Sequence, residues 1–322
     1  MTLPLSLQEK MDALMVGHKA AHLRQAREDL TQAYHGDKTP HMEGLEVRLS
    51  YLATRMPATF AVARDVLAQV PRLEEKVGTL LDLGAGPGTV LWALESLIPL
   101  ESAILVEQDA GLVRLCEALR EGEATPHTVL SQDVLKDTPW QDADLVTMSY
   151  VWGELEGKNR LDFLEKAFAH ARHALVLIEP GTPRHTAGLL EAREHLIKIG
   201  AHITAPCPHA LACPVKTPDW CHFSAFVPRS ALHRQVKNVS QSYELEKYNY
   251  LIVTREALEA HKDARLVRAP LKRSGHVVCD VCTNAGTLAR WTYTKKDKDA
   301  YHAARKKEWG ETITPPAIAN PL

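Results

Sequence analysis

An α/β fold built on a parallel sheet is what this 322-residue chain predicts. Three observations predict it. From Val77 onward, short apolar runs alternate with amphipathic stretches, the pattern of strands buried between covering helices. The first run ends in a glycine-rich turn, Asp82-Leu83-Gly84-Ala85-Gly86-Pro87-Gly88-Thr89. Residues 1–75 carry helical periodicity and no strand pattern.

The elements follow in order. MDALMVGHKAAHLRQAREDLTQAY predicts a helix with Gly17 as its one weak point, and a second helix spans Ala58–Val70 behind Pro57. Arg55 could face a ligand site, but a surface arginine is the preferred reading. The runs GTLLDLG, SAILVEQD (102–109), HTVLSQD (127–133), ADLVTMSYV (143–151) and ALVLIEPG (174–181) give five strands. Helices Arg160–Ala171 and Thr186–Ile199 lie among them, and further strands fall at Phe223–Val227 and Tyr250–Thr254. HVVCDVCT and TLARWTYT flank Asn284-Ala285-Gly286 as a hairpin, and a basic helix Asp299–Trp309 follows. The expected domains are an N-terminal helical region (1–75), an α/β domain (76–261) with a cysteine-rich insertion (204–222), and a basic C-terminal β appendage with a helix (262–322).

Bulk properties narrow the class. Hydrophobic residues at 45% and charged residues at 24% exclude a disordered or fibrous chain. No apolar run approaches the ~20 residues that span a bilayer. The first fifteen residues lack a basic-then-apolar signal and carry Glu9 and Asp12, so a cytoplasmic, monomeric protein without a membrane partner is expected. Six cysteines in such a chain point to metal or buried thiols, not disulfides. The net charge of −2 is uneven: residues 262–309 hold twelve Lys/Arg and five Asp/Glu, +7 against −9 for the rest. A basic face for an anionic partner is implied.

The glycine turn carries the first chemistry. A dinucleotide fingerprint would place its third glycine at Thr89. Here the spacing is G-x-G-x-G after an acidic strand residue, which resembles the S-adenosyl-L-methionine loop of class I methyltransferases. Gly84, Gly86 and Gly88 would let the main chain approach that cofactor. Asp82 is placed to receive the methionine ammonium through a bridging group, Glu107 the two ribose hydroxyls, and Asp133 the adenine amino group. The substrate side names no catalytic residue. The Asn/Asp-Pro-Pro-Tyr/Phe of amino-group methyltransferases is absent, and Ser149-Tyr150-Val151-Trp152-Gly153-Glu154 stands in its place.

The cysteines carry the second. Cys207-x5-Cys213-x7-Cys221 lacks the paired spacing of a zinc ribbon and suits an iron–sulfur cluster, with zinc as the alternative. The fourth ligand must come from elsewhere. In HVVCDVC, Cys279 shares a strand face with Val277 and Val281, which leaves Cys282 as the ligand. Cys116 reads as core, and His209 and His222 as substitute ligands or, in preference, as neighbours of the site or surface groups.

Together these residues resemble the mitochondrial small-ribosomal-subunit methyltransferase-like family, which has bacterial relatives. The resemblance rests on YLATRMPATFA (51–61), LLDLGAGPGT (80–89), IEPGTP (178–183), CPH…CP…DWCHFS (207–224), KRSGHV (272–277), DVCTNAG (280–286) and AYHAARKKEWGE (300–311). It implies a role at the small-subunit ribosomal RNA and a 4Fe-4S cluster on Cys207, Cys213, Cys221 and Cys282. Trp152-Gly153 departs from the family's Leu-Asn, so no catalytic role carries over there. Three functions follow: a ribosomal RNA methyltransferase, a catalytically silent small-subunit assembly or RNA-binding factor, and a small-molecule methyltransferase with structural zinc. The basic tail favours RNA.

Overall fold

A computed structural model describes residues 2–35, 42–136, 140–155, 159–258 and 263–316. The expected boundary at 261/262 and residues 317–322 lie outside the described residues. The chain forms two compact units, one of residues 1–178 and 225–246, the other of 179–224 and 247–322. The division falls inside three strands, because the chain leaves and re-enters the first unit.

The first unit opens with α1 (Leu5–Met15), α2 (Ala20–His35), α3 (Leu45–Thr54), α4 (Met56–Leu67) and the single turn α5 (Leu73–Lys76). The one helix expected over residues 11–34 is two. The break falls at Gly17, whose φ of +86° suits glycine and ends α1. Pro57 sits in the first turn of α4, where its missing N–H costs nothing. Leu7, Met11 and Met15 of α1 are buried, so this segment belongs to the packed helical layer.

The sheet of this unit comes from β1 (Thr79–Leu83), β2 (Ser102–Glu107), β3 (His127–Ser131), β4 (Ala143–Ser149) and β5 (Ala171–Pro180), with α6 (Thr89–Glu95), α7 (Ala110–Arg120) and α8 (Arg160–His170) between. The pairings are parallel and give the order β3-β2-β1-β4-β5. The strand order turns at β1, so its carboxyl end opens a crevice beside β2 and β4, the usual ligand position in such sheets. This is the class I methyltransferase-like α/β fold.

The chain then forms α9 (Pro183–Lys198), β6 (His202–Ala205), β7 (Phe223–Pro228), α10 (Ala231–Lys237) and β8 (Tyr243–Thr254). Within the second unit β6 pairs antiparallel with β8, Ile203 opposite Val253. A small antiparallel sheet completes that unit: β9 (Ala264–Leu266), β10 (Leu271–Lys272), β11 (His276–Cys282), β12 (Leu288–Thr294) and β13 (Thr312–Ile313), with α11 (Lys298–Lys306) before the last strand. The β11–β12 hairpin turns over residues 283–287, where Gly286 has φ +74°. Its inner face packs Val277, Cys279, Val281, Trp291 and Tyr293 against Tyr301 and Ala304 of α11. Period-two alternation thus puts Cys279, fully buried, into this core.

Candidate functional site

The glycine loop caps β1 in the first unit. The amides of Gly84 and Ala85 both donate to the Val106 carbonyl, 2.8 and 3.0 Å away, which folds the loop over the end of β2. A side chain at Gly84 would strike Val151, its Cβ only 2.3 Å from a Val151 methyl. A Cβ at Gly88 would approach Cys116 Sγ to 2.9 Å, so that buried thiol is packing beneath the loop. Gly86 differs: its φ is +55° and nothing lies within 4 Å of where its Cβ would be. The loop therefore presents bare backbone to open space at Gly86.

Two carboxylates stand behind it. Glu107, 8% exposed, accepts from the Gly86 amide through one oxygen and from the Asp109 amide through the other, both at 2.8 Å. A carboxylate has about four lone-pair directions, so each oxygen retains capacity for a ligand hydroxyl. Burial pushes the Glu107 carboxyl above its usual range, partly offset by these amides. Asp82 is wholly buried. Thr147, its neighbour across the β1–β4 register, donates to Oδ1 at 2.7 Å, while Oδ2 has no partner. Burial pushes this carboxyl up to about 7. An orphaned buried carboxylate oxygen costs free energy until a donor or a proton meets it. Asp133 follows β3, its Oδ1 accepting from the Leu135 amide at 2.9 Å. The loop residues and both carboxylates therefore suit a ligand with an ammonium and vicinal hydroxyls.

Beside the loop, Tyr150 follows β4 in the left-handed region, φ +61°, and its amide donates to the Ile178 carbonyl at 2.7 Å. The Arg55 guanidinium lies 5.9 Å from the Tyr150 ring centre and pairs with Glu246 at 3.1 Å. Burial lowers the Arg55 pKa, but Glu246, Tyr150 and Tyr51 outweigh it and raise the net value. Its side chain stays 37% open, so this arginine is half-buried in the crevice and not a plain surface residue. Glu154 reaches solvent, yet the protein around it and then the Glu107 charge raise its carboxyl. Glu107 and Glu154 thus act on one space.

In the second unit, Cys207, Cys213, Cys221 and Cys282 line one recess of about 40 Å³. Three partly buried thiols come from the segment after β6, and the buried fourth from the end of β11. Side chains hold the segment by its backbone. Arg193 on α9 donates through Nη2 to the carbonyls of His209 (2.7 Å) and Leu211 (2.9 Å). Arg265 on β9 donates to the Pro206 carbonyl at 2.8 Å, and Asn249 on β8 to that of Cys221 at 2.9 Å. His209 Nε2 lies 3.3 Å from Cys282 Sγ. Burial raises the Cys221 thiol, and the charges of Cys207, Cys213 and Cys282 raise it further. Burial likewise pushes Cys282 up to about 12, with Cys207 and Cys213 adding to the shift. Among the described residues no three His, Cys, Asp or Glu side chains are grouped as ligands of a single metal ion. Four thiols lining one recess, with no carboxylate among its lining residues, suit a thiophilic group.

The second unit also gathers basic pairs that are far apart in sequence. β10 and β11 join through Lys272 opposite Val277, and Arg273 donates to the His276 carbonyl at 2.9 Å. Lys295 donates to the Gly275 carbonyl at 3.3 Å, and Arg305 Nη1 to the Arg273 carbonyl at 2.9 Å. Lys272-Arg273, Lys295-Lys296 and Arg305-Lys306 therefore meet at the His276–Thr294 end of the hairpin, all exposed. Sequence composition gave their charge but not this convergence, and it gave no sign of Arg193.

The family described as Mitochondrial small ribosomal subunit Rsm22 matches residues 45–314, and the chain belongs to it. The human "Ribosome assembly protein METTL17, mitochondrial" is 30% identical over 88% of this chain and 66% of its own length. The "Rsm22-cox11 tandem protein 2, mitochondrial" of Schizosaccharomyces pombe is 26% identical over 82% of this chain and 42% of its own length. The chain thus spans less than two thirds of these relatives. Among solved structures, a magnesium protoporphyrin IX methyltransferase from Synechocystis shares 13% identity, covering 74% of this chain and 97% of that one, with a TM-score of 0.41. A SAM-dependent methyltransferase from Aquifex aeolicus shares 16%, covering 65% and 98%, with a TM-score of 0.43. The expectation of a cytoplasmic protein is overturned by the relatives, which are mitochondrial ribosome assembly proteins. The physical reason is plain: Glu9 and Asp12 lie on the packed helix α1, where charge reflects exposure and carries no address. No helix among the described residues is long and apolar enough to cross a membrane.

One prediction concerns Asp82. Its folded pKa is raised, so between about pH 4 and 7 the folded state holds more protons than the unfolded state. Stability of the ligand-free protein should therefore fall as pH rises through that window, and Asp82→Asn should flatten the fall. Denaturant midpoints measured across the window check it; equal slopes in both proteins would refute the assignment.

Proposed function

From this family membership we propose that the chain is a methyltransferase-like assembly factor of the small ribosomal subunit. In this reading it binds S-adenosyl-L-methionine in the first unit, and ribosomal RNA at the basic end of the second. The observation that carries the RNA reading is the meeting of three basic pairs at one end of a sheet. Phosphate contacts need Lys and Arg gathered on one face. The relatives' names, with their assembly role, support the ribosomal partner.

Support for the cofactor comes from the donor set. Asp82 Oδ2 lacks a partner and would meet the ammonium side, directly or through a bridging group. Gly86 leaves room for close approach, Glu107 has acceptor capacity for the ribose, and Asp133 follows β3 toward the adenine. The bound cofactor would supply an electrophilic methyl group. This chain's residues would orient it and keep water from it. A second reading, assembly without turnover, is favoured by one observation. The position of the amino-methyltransferase motif holds Tyr150, and the Arg55–Glu246 pair lies against that residue.

A 4Fe-4S cluster on Cys207, Cys213, Cys221 and Cys282 fits the recess. No carboxylate lines it, the four thiols act on one another electrostatically, and a thiolate cage is what such a cluster takes. Zinc, the alternative, would take all four sulfurs at about 2.3 Å. The cluster would serve as a cross-link between the cysteine segment and β11.

Three expected outcomes follow. Calorimetry should show S-adenosyl-L-methionine binding, abolished by Gly86→Arg and weakened by roughly 1–3 kcal/mol in Glu107→Ala; a folded wild-type protein that binds neither the cofactor nor its demethylated product refutes the cofactor site. Anaerobic purification should give iron and sulfide, retained in Cys279→Ser and lost in Cys282→Ser, whereas a zinc-loaded, colourless protein refutes the cluster. Small-subunit association should fall steeply with salt and with charge reversal at Lys295 and Lys296, and salt-independent association would remove the phosphate reading. Ribosomal RNA methylation mapped in cells with and without the gene separates turnover from silent assembly.

A further inference from the structure

We propose that Arg193 is the counter-charge of the four-cysteine recess: a positioning residue whose buried guanidinium sets the charge balance, and so the retention and reduction potential, of the group held there. This rests on the cluster reading above.

The argument begins with burial. Arg193 is 3% exposed, on the face of α9 that lines the recess. Isolated buried charge is costly, and proteins normally pair a buried arginine with a carboxylate. Here no carboxylate lines the recess, and no ion pair joins Arg193 to any described acidic residue. Its Nη2 is occupied by the carbonyls of His209 and Leu211. Its Nε–H is buried and has no partner. A charged donor is thus left over beside four sulfurs.

Neutral thiols do not compensate a guanidinium. Thiolates do, and so does the net negative charge of a cluster held by four of them. The Arg193 charge also acts on the Cys207 and Cys282 thiols. Hydrogen bonds to cluster sulfurs and nearby net charge are the protein's means of setting a cluster's potential. A fixed positive charge favours the more negative, reduced form. The same charge lowers the cost of gathering four thiolates in one buried place. Arg265 lines the recess as a second cation, its fork donating to the carbonyls of Pro206 and Gly310.

The test uses the full chain, purified anaerobically, as wild type, Arg193→Gln and Arg193→Lys. Three quantities are measured: the rate of iron loss to a chelator, the reduction potential by titration with spectroscopic detection, and thermal unfolding of the metal-free forms. Arg193→Gln should lose iron about tenfold faster or more, the scale of outer-shell ligand changes. Its potential should move to a more negative value. The metal-free Arg193→Gln protein should unfold no lower than metal-free wild type, because an uncompensated charge has been removed. Arg193→Lys keeps the charge and should hold iron and potential near wild type. Iron retention and potential unchanged in Arg193→Gln would overturn the proposal. So would an equal loss in Arg193→Lys, or a metal-free Arg193→Gln destabilised as much as the loaded form, since either result makes Arg193 a brace for two carbonyls. Wild type purified without iron and sulfide is a different failure: it removes the cluster reading itself.

Discussion

Four thiols in one buried recess cannot all ionise without positive charge beside them, and in the proposed reading the second unit is arranged around that constraint. Arg193 and Arg265 stand in the wall of the recess and simultaneously hold the backbone of the cysteine segment. Asn249 fixes the Cys221 carbonyl, and Leu211 packs over Gly286 of the hairpin turn. The segment has almost no secondary structure to satisfy its own backbone. Its carbonyls are therefore met by side chains, and two of those side chains are the cations that ionised sulfurs would require. Packing and charge compensation are one device here.

The first unit solves the reverse problem. There the excess buried charge is negative. Asp82 and Glu107 sit under a loop whose three glycines keep side chains out of the way, and one oxygen of Asp82 is left without a donor. Thr147 satisfies the other oxygen through the β1–β4 register, so the strand alignment itself aims the carboxylate. A cationic ligand group would relieve that imbalance, as a cluster would relieve the imbalance at Arg193. Each unit thus keeps an uncompensated buried group, of opposite sign, at the place where its ligand is proposed.

Much of this was legible in the sequence where the cause is local. The glycine loop, Glu107 after β2 and the alternation of strand with helix are set by neighbours a few residues apart. Period-two reasoning in HVVCDVC separates Cys279, now found in the core with Val277 and Trp291, from Cys282 at the recess. What was not legible depends on distant contacts. A single arginine on α9 has the same letters around it whether it faces solvent or four sulfurs. β8 was expected to begin at Tyr250, where the apolar run starts. Its first five residues, Tyr243 to Lys247, alternate exposed and partly buried, and join the strand through pairing that composition does not signal. The amides of Gly86 and Asp109 on Glu107 are likewise a product of the fold.

The hairpin geometry also refines how a cluster would bear on RNA binding. Cys282 pairs with Leu288 at the turn end of β11–β12, whereas His276 pairs with Thr294 at the basic end. Six residues of strand separate the two ends, about 20 Å at ~3.4 Å per residue. The basic pairs are held to one another by their own bonds, Lys295 to Gly275 and Arg305 to Arg273, and by α11 packed on the inner face. Those bonds do not pass through the recess. A cluster therefore would not shape the basic array. It would fix the far end of the same hairpin to the cysteine segment, and so set where that array is carried. In the proposed reading the metal would act on the position of the basic end and leave its internal order to the sheet.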